Sequence, residues 1–348
     1  MKKVSVVILN WNAEHLLRQF LPGVAAHSQL PDGEVEVAVA DNGSTDGSAA
    51  YVATLAPSCA TLRWLPLGAN YGFAEGYNRA LAQVEAEYVV LLNDDVEVTP
   101  HWLEPLVAYM DAHPEVAACQ PKLLSQRTKS QFEYAGACGG YLDRYGYPYC
   151  RGRVFDTVED DHGQYDTPAD VLWATGACLF IRLSDYRAAG GLDGRFFAHM
   201  EEVDLCWRLR CRGRGIVALP SSTVYHVGGA SLAAGSPRKT YLNFRNNLLM
   251  LYKNLPQRDL HHVLAVRTVL DGLAALVFLL KGERGNFGAV FRARHDFRQM
   301  KPEYRTLRQE NLQAAAGSET AVAGRSDICL LWQYHICRHR TFASLKKA

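Results

Sequence analysis

The polarity of this chain alternates with the period of a strand and then with that of a helix, several times in succession. Residues 4–9 form a β-branched apolar run, and an amphipathic helical pattern follows over 13–26. A second apolar run at 35–40 ends in Asp41-Asn42-Gly43-Ser44-Thr45-Asp46-Gly47, where Ser44 or Asp46 can cap a short helix starting near Ser48. A third strand is predicted at 62–65, a third helix at 73–84 and a fourth strand at 87–92. Thr99-Pro100 then reads as the cap and first residue of a helix reaching 112, and a short strand follows at 116–120. This βαβαβ rhythm predicts an α/β fold, with a largely parallel sheet covered by helices on both faces.

Between 131 and 170 the regularity lapses into a Gly- and Tyr-rich stretch, either an insertion loop bearing a substrate surface or a short hairpin region. Strand character returns over 171–182, around Trp173-Ala174-Thr175-Gly176-Ala177. A helix is predicted at 201–212 with Gly213 ending it, and strands at 216–219 and 223–225 lead to His226. From about Pro237 the chain is helical and basic. Residues 263–280 are apolar but interrupted by Arg267 and Asp271, whereas a spanning helix needs about twenty nearly uncharged residues. The expectation is therefore an interfacial helix flanked by Lys281, Arg284, Arg292, Arg294 and Arg298, with a packed core helix as the simpler reading. The chain thus divides into a domain over 1–235, with halves at about 1–120 and 121–235, and a basic helical extension over 236–348.

Composition narrows the function classes. At 348 residues the chain can bury a large core, and 48% hydrophobic with 21% charged residues is ordinary for a globular protein. A net charge of +1 argues against nucleic-acid binding through a global field. The apolar run after Met1-Lys2-Lys3 is too short for a signal peptide and reads as the first strand. Nine scattered cysteines, odd in number and without a CxxC pair, suggest reduced thiols in a cytoplasmic compartment.

The candidate chemistry falls where the predicted strands end: Asn10, Asp41, Asn70, Asp94 and Asp95. Ligands of open α/β sheets lie outside these carboxyl ends. Leu92-Asn93-Asp94-Asp95 delivers oxygen ligands suited to Mg²⁺ or Mn²⁺, or else is a solvated turn. The stretch from Asn70 to Arg79, with Gly72 and Gly76, opens a helix whose N-terminus favours a diphosphate, or is only a tight turn. Glu201, Glu202 and Asp204 crowd a helix start after an aromatic run, where they can cap the helix or supply a general base. His226 can be a metal ligand or a structural histidine.

In order, these pieces resemble family 2 glycosyltransferases of the GT-A fold, most closely the bacterial rhamnosyltransferase-like branch. The resemblance runs through Val6-Val7-Ile8-Leu9-Asn10-Trp11-Asn12, the loop from Asp41 to Ser48, Asn70-Tyr71-Gly72-Phe73-Ala74-Glu75-Gly76 and Leu91-Leu92-Asn93-Asp94-Asp95. It continues through Gly190-Gly191-Leu192-Asp193, the segment from Glu201 to Arg208, and Val224-Tyr225-His226-Val227-Gly228-Gly229. It implies inverting transfer of a sugar from a nucleotide diphosphate sugar to an acceptor hydroxyl, with a divalent metal as cofactor. By that likeness Asn10 and Asp41 lie at the nucleoside pocket, and Asn12, Asn42, Ser44, Asn70, Gly72, Phe73, Gly76, Asn78, Asn93, Trp173 and Gly176 belong with them to the substrate site. Asp95 binds the metal, Asp94 lies near the ribose or metal, and His226 completes the coordination. Glu202 stands where relatives place an Asp base, and Glu201 is the alternative proton acceptor. Asn93 departs from the family by replacing the first acid of the metal motif. The implied acceptor is a saccharide or lipid-linked saccharide in cell-surface polysaccharide or glycolipid synthesis. The implied location is cytoplasmic, peripheral at the inner face of the membrane. A catalytically inactive nucleotide-sugar-binding subunit and a nucleotidyltransferase are the rival readings. The latter ordinarily carries a Gly-rich basic loop where Asn10-Trp11-Asn12 stands.

Overall fold

The computed structural model describes residues 1–31, 34–228, 235–315 and 322–345, so Gly229 of the last motif lies outside the described residues. In chain order the first elements are β1 (Lys2–Asn10), α1 (Glu14–His27), β2 (Val35–Asp41), α2 (Ser48–Leu55), β3 (Leu62–Pro66), α3 (Gly72–Leu81), β4 (Ala86–Asn93), β5 (Val96–Val98), α4 (Leu103–Ala112) and β6 (Val116–Ser125). Short strands follow: β7 (Gly140–Leu142), β8 (Pro148–Cys150), β9 (Arg153–Val154), β10 (Thr157–Val158) and β11 (Ala169–Asp170). Next come β12 (Cys178–Arg182), α5 (Leu183–Ala188), α6 (Glu201–Cys211) and β13 (Gly215–His226). Four helices complete the list: α7 (Pro237–Asn254), α8 (Gln257–Leu280), α9 (Arg284–Met300) and α10 (Arg305–Ala314).

The main sheet has the order β11-β13-β6-β12-β4-β1-β2-β3, with β5 paired to β13. Strands β3, β2, β1 and β4 are mutually parallel, as are β6 and β13. Between these blocks β12 runs antiparallel to both β4 and β6, so the sheet is mixed, though mostly parallel. Alternate residues of each strand serve opposite layers. Val4, Val6 and Ile8 pack with Leu17, Leu21, Tyr51, Leu103 and Leu106 of α1, α2 and α4. Val7, Ala38, Val89 and Leu91 face Ala74, Tyr77, Tyr186 and Trp207 of α3, α5 and α6.

Several sequence expectations change in three dimensions. Thr99 does not cap α4: its hydroxyl donates to the Thr223 carbonyl at 2.8 Å, tying the end of β5 to β13, and the helix starts at Leu103. Residues 171–177 are not a strand but a buried loop. Its backbone groups bond Gly140, and the Thr175 N–H donates to Gln120 Oε1. The irregular stretch after 131 includes a four-stranded antiparallel sheet, β7 to β10, which realises the hairpin reading. The runs at 216–219 and 223–225 form the single strand β13, with an irregularity between Leu219 and Thr223.

The boundary expected at 235 does not separate two cores. Leu248, Leu249, Met250 and Leu251 of α7 lie in the same apolar cluster as the sheet and α6. A buried polar seam reinforces the contact. Lys253 Nζ donates to Asp193 at 2.8 Å and Asp204 at 2.7 Å, while Arg208 and Asn254 also donate to Asp204. Burial alone would raise the Asp193 carboxyl, but the Lys253 ammonium beside it holds its pKa below the usual range. Residues 322–345 join the small sheet, with Ile328, Leu330 and Leu345 packed on Tyr149 and Val154. Replacing Lys253 by Met would remove the ammonium shared by two buried carboxylates, leaving Asp204 with Arg208 and Asn254 and Asp193 with Arg195. We expect Lys253→Met to cost about 3–5 kcal/mol in denaturant unfolding, and a change near zero would remove the seam from the stability argument.

Candidate active site

Parallel pairing sets the site. Asn10 lies beside Asp41 across β1 and β2, and Leu9 beside Asn93 across β1 and β4, so three motifs emerge at one sheet end. After β4 the chain turns through Asp94 and Asp95 into β5, whose Val96 pairs with His226 of β13. That antiparallel register places His226 Nε2 3.0 Å from Asp95 Oδ1 and 3.4 Å from Asn93 Nδ2. The Gly228 N–H donates to Asp95 Oδ2 at 3.1 Å. Behind the imidazole, Nδ1 lies 3.1 Å from Glu133 Oε1, and the other oxygen of Glu133 accepts from the Ala135 and Gly136 N–H groups.

Burial opposes charge on His226, but the hydrogen bonds to Asp95 and Glu133 outweigh it and lift its pKa to about 10. Burial, together with the Asp95 charge, pushes Asp94 up to about 7. Asp95 is held low despite burial, because His226 and the Gly228 N–H favour its charged form.

The loop that follows β2 is braced against the end of β1. Asn10 Nδ2 donates to Ser44 Oγ at 3.0 Å and to Asp41 Oδ1 at 3.3 Å, and Ser44 N–H donates back to Asp41. Asn12, at φ 51°, accepts from the Thr45 N–H and donates its backbone N–H to Ser44 Oγ. Asn10 Oδ1 is buried with no partner. Asp46 is a capping residue: its two oxygens accept from Ser48 N–H and Glu14 N–H.

The acid pair reaches the same sheet end by another route. Asn93 N–H donates to the Ala177 carbonyl, and the neighbouring Gly176 sits against both Phe73 and Glu202, where an added Cβ would come within 3.1 Å of the Phe73 ring. The Glu202 carboxylate faces the Gly176 N–H and the N–H groups of its own helix turn. Oε2 of Glu202 and Oε2 of Glu201 are buried without partners. Burial raises both pKa values; Glu201, buried whole and facing Glu202, is raised further.

The approach to this pair is a strained loop. Phe197, His199 and Met200 all have positive φ, at 67°, 72° and 71°. Left-handed conformations of non-glycine residues persist only where surroundings fix them. Here the fully buried Asn246 of α7 donates to the Phe196, Ala198 and His199 carbonyls at 2.8–2.9 Å, and Arg245 donates to the Arg195 and Phe196 carbonyls. Burial, with the Lys239 charge adding to it, lowers the His199 pKa to about 4.

Some expected ligand contacts are instead structural. The N-terminus of α3 is not open to a diphosphate through its own N–H groups. Phe73 and Ala74 N–H donate to the Phe197 carbonyl, Gly72 N–H to Asn70 and Tyr71 N–H to Asn42. Gly72, at φ 76°, makes room for the Phe197 ring, and Gly76 packs against Leu9. Asn78 braces Leu192 through both backbone groups and accepts from Tyr186. Trp173 is buried, and its indole N–H donates to the Tyr141 carbonyl. Glu133 and Asn246 escaped the sequence reading, because neither belongs to a motif.

Comparison with known proteins agrees with this geometry. Residues 5–161 match the family described as Glycosyl transferase family 2. An N-acetylglucosaminyl-diphospho-decaprenol L-rhamnosyltransferase of Mycobacterium tuberculosis is 30% identical over 239 residues, covering 64% of this chain and 75% of that protein. Rhamnosyltransferase WbbL of Escherichia coli is 25% identical over 166 residues, covering 46% of this chain and 62% of that protein. Among solved structures, S. aureus TarS 1-349 in complex with UDP-GlcNAc superposes with a TM-score of 0.55 at 17% identity, covering 90% of this chain and 89% of that one. GalNAc-T7 with UDP, GalNAc and Mn²⁺ gives a TM-score of 0.59 at 14% identity, and the match covers 74% of this chain and 49% of that one. These likenesses establish the GT-A fold. The match across three quarters of the mycobacterial enzyme shows that the chain belongs to glycosyl transferase family 2, in its rhamnosyltransferase-like branch, and is a glycosyltransferase.

Proposed function

We propose that the protein moves a sugar, rhamnose or another hexose, from a nucleotide diphosphate donor to a hydroxyl of a lipid-linked saccharide, with inversion and with Glu202 as base. The observation that carries this reading is the unpartnered carboxylate oxygen of Glu202, whose side chain packs on Gly176, next to the Ala177 carbonyl that accepts from Asn93 N–H at the end of β4. An acceptor hydroxyl is a donor that can satisfy that oxygen. The name of the mycobacterial relative, an L-rhamnosyl transfer to a diphospho-decaprenol-linked sugar, supports a lipid-linked acceptor in cell-surface polysaccharide synthesis. Such an acceptor suits a cytoplasmic protein peripheral at the inner membrane face.

The residues present fit a divalent cation. Asp95 Oδ1 and His226 Nε2 converge, with Glu133 Oε1 3.1 Å from Nδ1 orienting the ring, and a cation bound there would take the place of the Nε2 proton. Among the described residues no three acidic, histidine or cysteine side chains close on one point. Asp95 and His226 would thus hold Mg²⁺ or Mn²⁺ together with diphosphate oxygens and water, with Asp94 nearby. Such an ion neutralises charge on the leaving diphosphate.

The rest of the chemistry belongs to the chain. Asn10 and Asp41 hold the nucleoside, with the unpartnered Asn10 Oδ1 available to accept from it. Phe73 and Gly176 shape the floor between donor and Glu202. Glu202, ionised, takes the acceptor hydroxyl's proton as that oxygen bonds the anomeric carbon. The bond from that carbon to the diphosphate oxygen breaks on the opposite face, and the proton ends on Glu202.

Glu202→Gln is expected to lower transfer by about 10²–10⁴-fold while leaving donor binding intact. Transfer at the native rate would reassign the base. Because burial raises the Glu202 pKa and the charged form acts, kcat/KM should rise with pH through a limb above the ordinary glutamate value of about 4.3. A limb at or below that value would contradict this environment. Glu133→Gln should weaken Mn²⁺ or Mg²⁺ activation by about 10–100-fold, read as the concentration for half-maximal transfer. An unchanged concentration would exclude Glu133 from the site's support. Asn246→Asp removes the two N–H donors that three carbonyls of the strained loop share, without changing side-chain size. Its kcat is expected to fall at least about ten-fold with donor KM nearly constant, since it acts through the position of Glu202. Equal changes in both would make Asn246 merely structural.

A further inference from the structure

Helix α8 is built inside out. Its charged residues Arg267 and Asp271 face the protein, 2% and 0% exposed, alongside Leu260, Val263 and Ala275. Its aliphatic residues Val269, Leu273, Leu276, Val277, Leu279 and Leu280 face outward, with Leu280 78% exposed. Arg267 is fixed by Asp271 at 3.1 Å, by the Tyr145 carbonyl at 2.9 Å and by Asn247 of α7. Arg294 of α9 donates to the second oxygen of Asp271 at 2.5 Å. The apolar stripe runs into a turn carrying exposed Lys281, Glu283 and Arg284, and the outer side of α9 adds exposed Phe291 and Arg292.

This hairpin end adjoins the cleft. The Arg238 guanidinium sits 4.9 Å from the ring centre of Phe197 in the strained loop. Two residues on, Thr240 Oγ1 donates to Asn286 Oδ1 at 3.0 Å, in the first turn of α9.

We infer that the outer face of α8 and the start of α9 dock on an anionic lipid bilayer, the aliphatic residues entering the acyl boundary and the basic rim meeting the headgroups. An apolar stripe beside a cationic rim is the pattern of interfacial helices, and lipid phosphates complement the charge. Although α8 is long and apolar enough to cross a membrane by composition, crossing would require withdrawing Arg267 and Asp271 from the protein body. Docking here would hold the cleft at the bilayer surface. That last step rests on the proposed lipid-linked acceptor, whereas the docking does not.

The test is flotation of the full chain with vesicles of phosphatidylcholine alone or mixed with phosphatidylglycerol. Binding to the anionic vesicles, weakened by salt and released at alkaline pH without detergent, is expected. Leu276→Asp with Leu280→Asp should reduce it at least about ten-fold. Lys281→Glu and Arg292→Glu should each cost about five-fold and erase the anionic preference. Both pairs should keep the native thermal transition and native transfer to a water-soluble acceptor. Equal flotation of native and aspartate forms, extraction only by detergent, or a native dimer that the aspartates dissociate would each overturn the proposal. Vesicle binding without transfer to any acceptor would sink the functional reading and leave the docking intact.

Discussion

The hold of α7 on the loop at 196–200 is the constraint on which the rest of the site depends. Three residues there occupy the left-handed region, each costing about 1–3 kcal/mol against relaxed backbone. Asn246 and Arg245 offset that cost from one side. From the other, the Phe197 carbonyl is pinned because it accepts the first N–H groups of α3. The loop thus joins three helices that share no sequence neighbourhood. Released from α7, it would relax, and the first turn of α6, which carries Glu201 and Glu202, would move with it. The cap of α3 beside the donor pocket would also be lost. The C-terminal region is therefore part of the active-site structure through α7, whatever α8 and α9 do outside.

Local signals were legible in the sequence because they need no partner to be read. Strand and helix periods placed β1, α1, β2, β3, β4 and α6 within a few residues, and the polar residues read at strand ends do emerge at one end of the sheet. The rest depended on which distant segment arrives. Gly72 reads as space for a ligand, but the space is filled by the Phe197 ring. The helix terminus it opens reads as a phosphate cradle, yet its N–H groups are met by Phe197, Asn70 and Asn42. Asn78 and Trp173 lie in motif-like surroundings but serve the loops packed upon them. Glu133 had no local mark, since its meaning comes entirely from His226, ninety-three residues later in the numbering. The antiparallel insertion of β12 was equally invisible, because a strand's direction is set by the path of the chain between elements.

Two acidic pairs at one sheet end are kept in different states by their surroundings. Asp95 has a histidine and a backbone N–H to support its charge, so the neighbouring Asp94 bears the burial penalty and titrates higher. At Glu201 and Glu202 burial raises both carboxyls, and the Glu202 charge adds to the rise at Glu201. Separating like carboxylates by environment is how one fold obtains both a charge-binding and a proton-accepting group near neutral pH.

The same reasoning explains the inverted polarity of α8. Rolling this helix to bury its aliphatic stripe would release Arg267 and Asp271 to water, but at the expense of the Tyr145 carbonyl, Asn247 and Arg294 that now pair with them. Buried polar groups left without partners cost about 1–3 kcal/mol each, and more when charged. Burying a leucine gains a comparable amount. The stripe's own hydrophobicity therefore does not decide which way it points. The polar network beneath it does, holding the aliphatic side chains outward as a consequence of satisfying the core. A surface fixed in that way cannot relieve itself by rolling the helix, and among the described residues the stripe stays exposed.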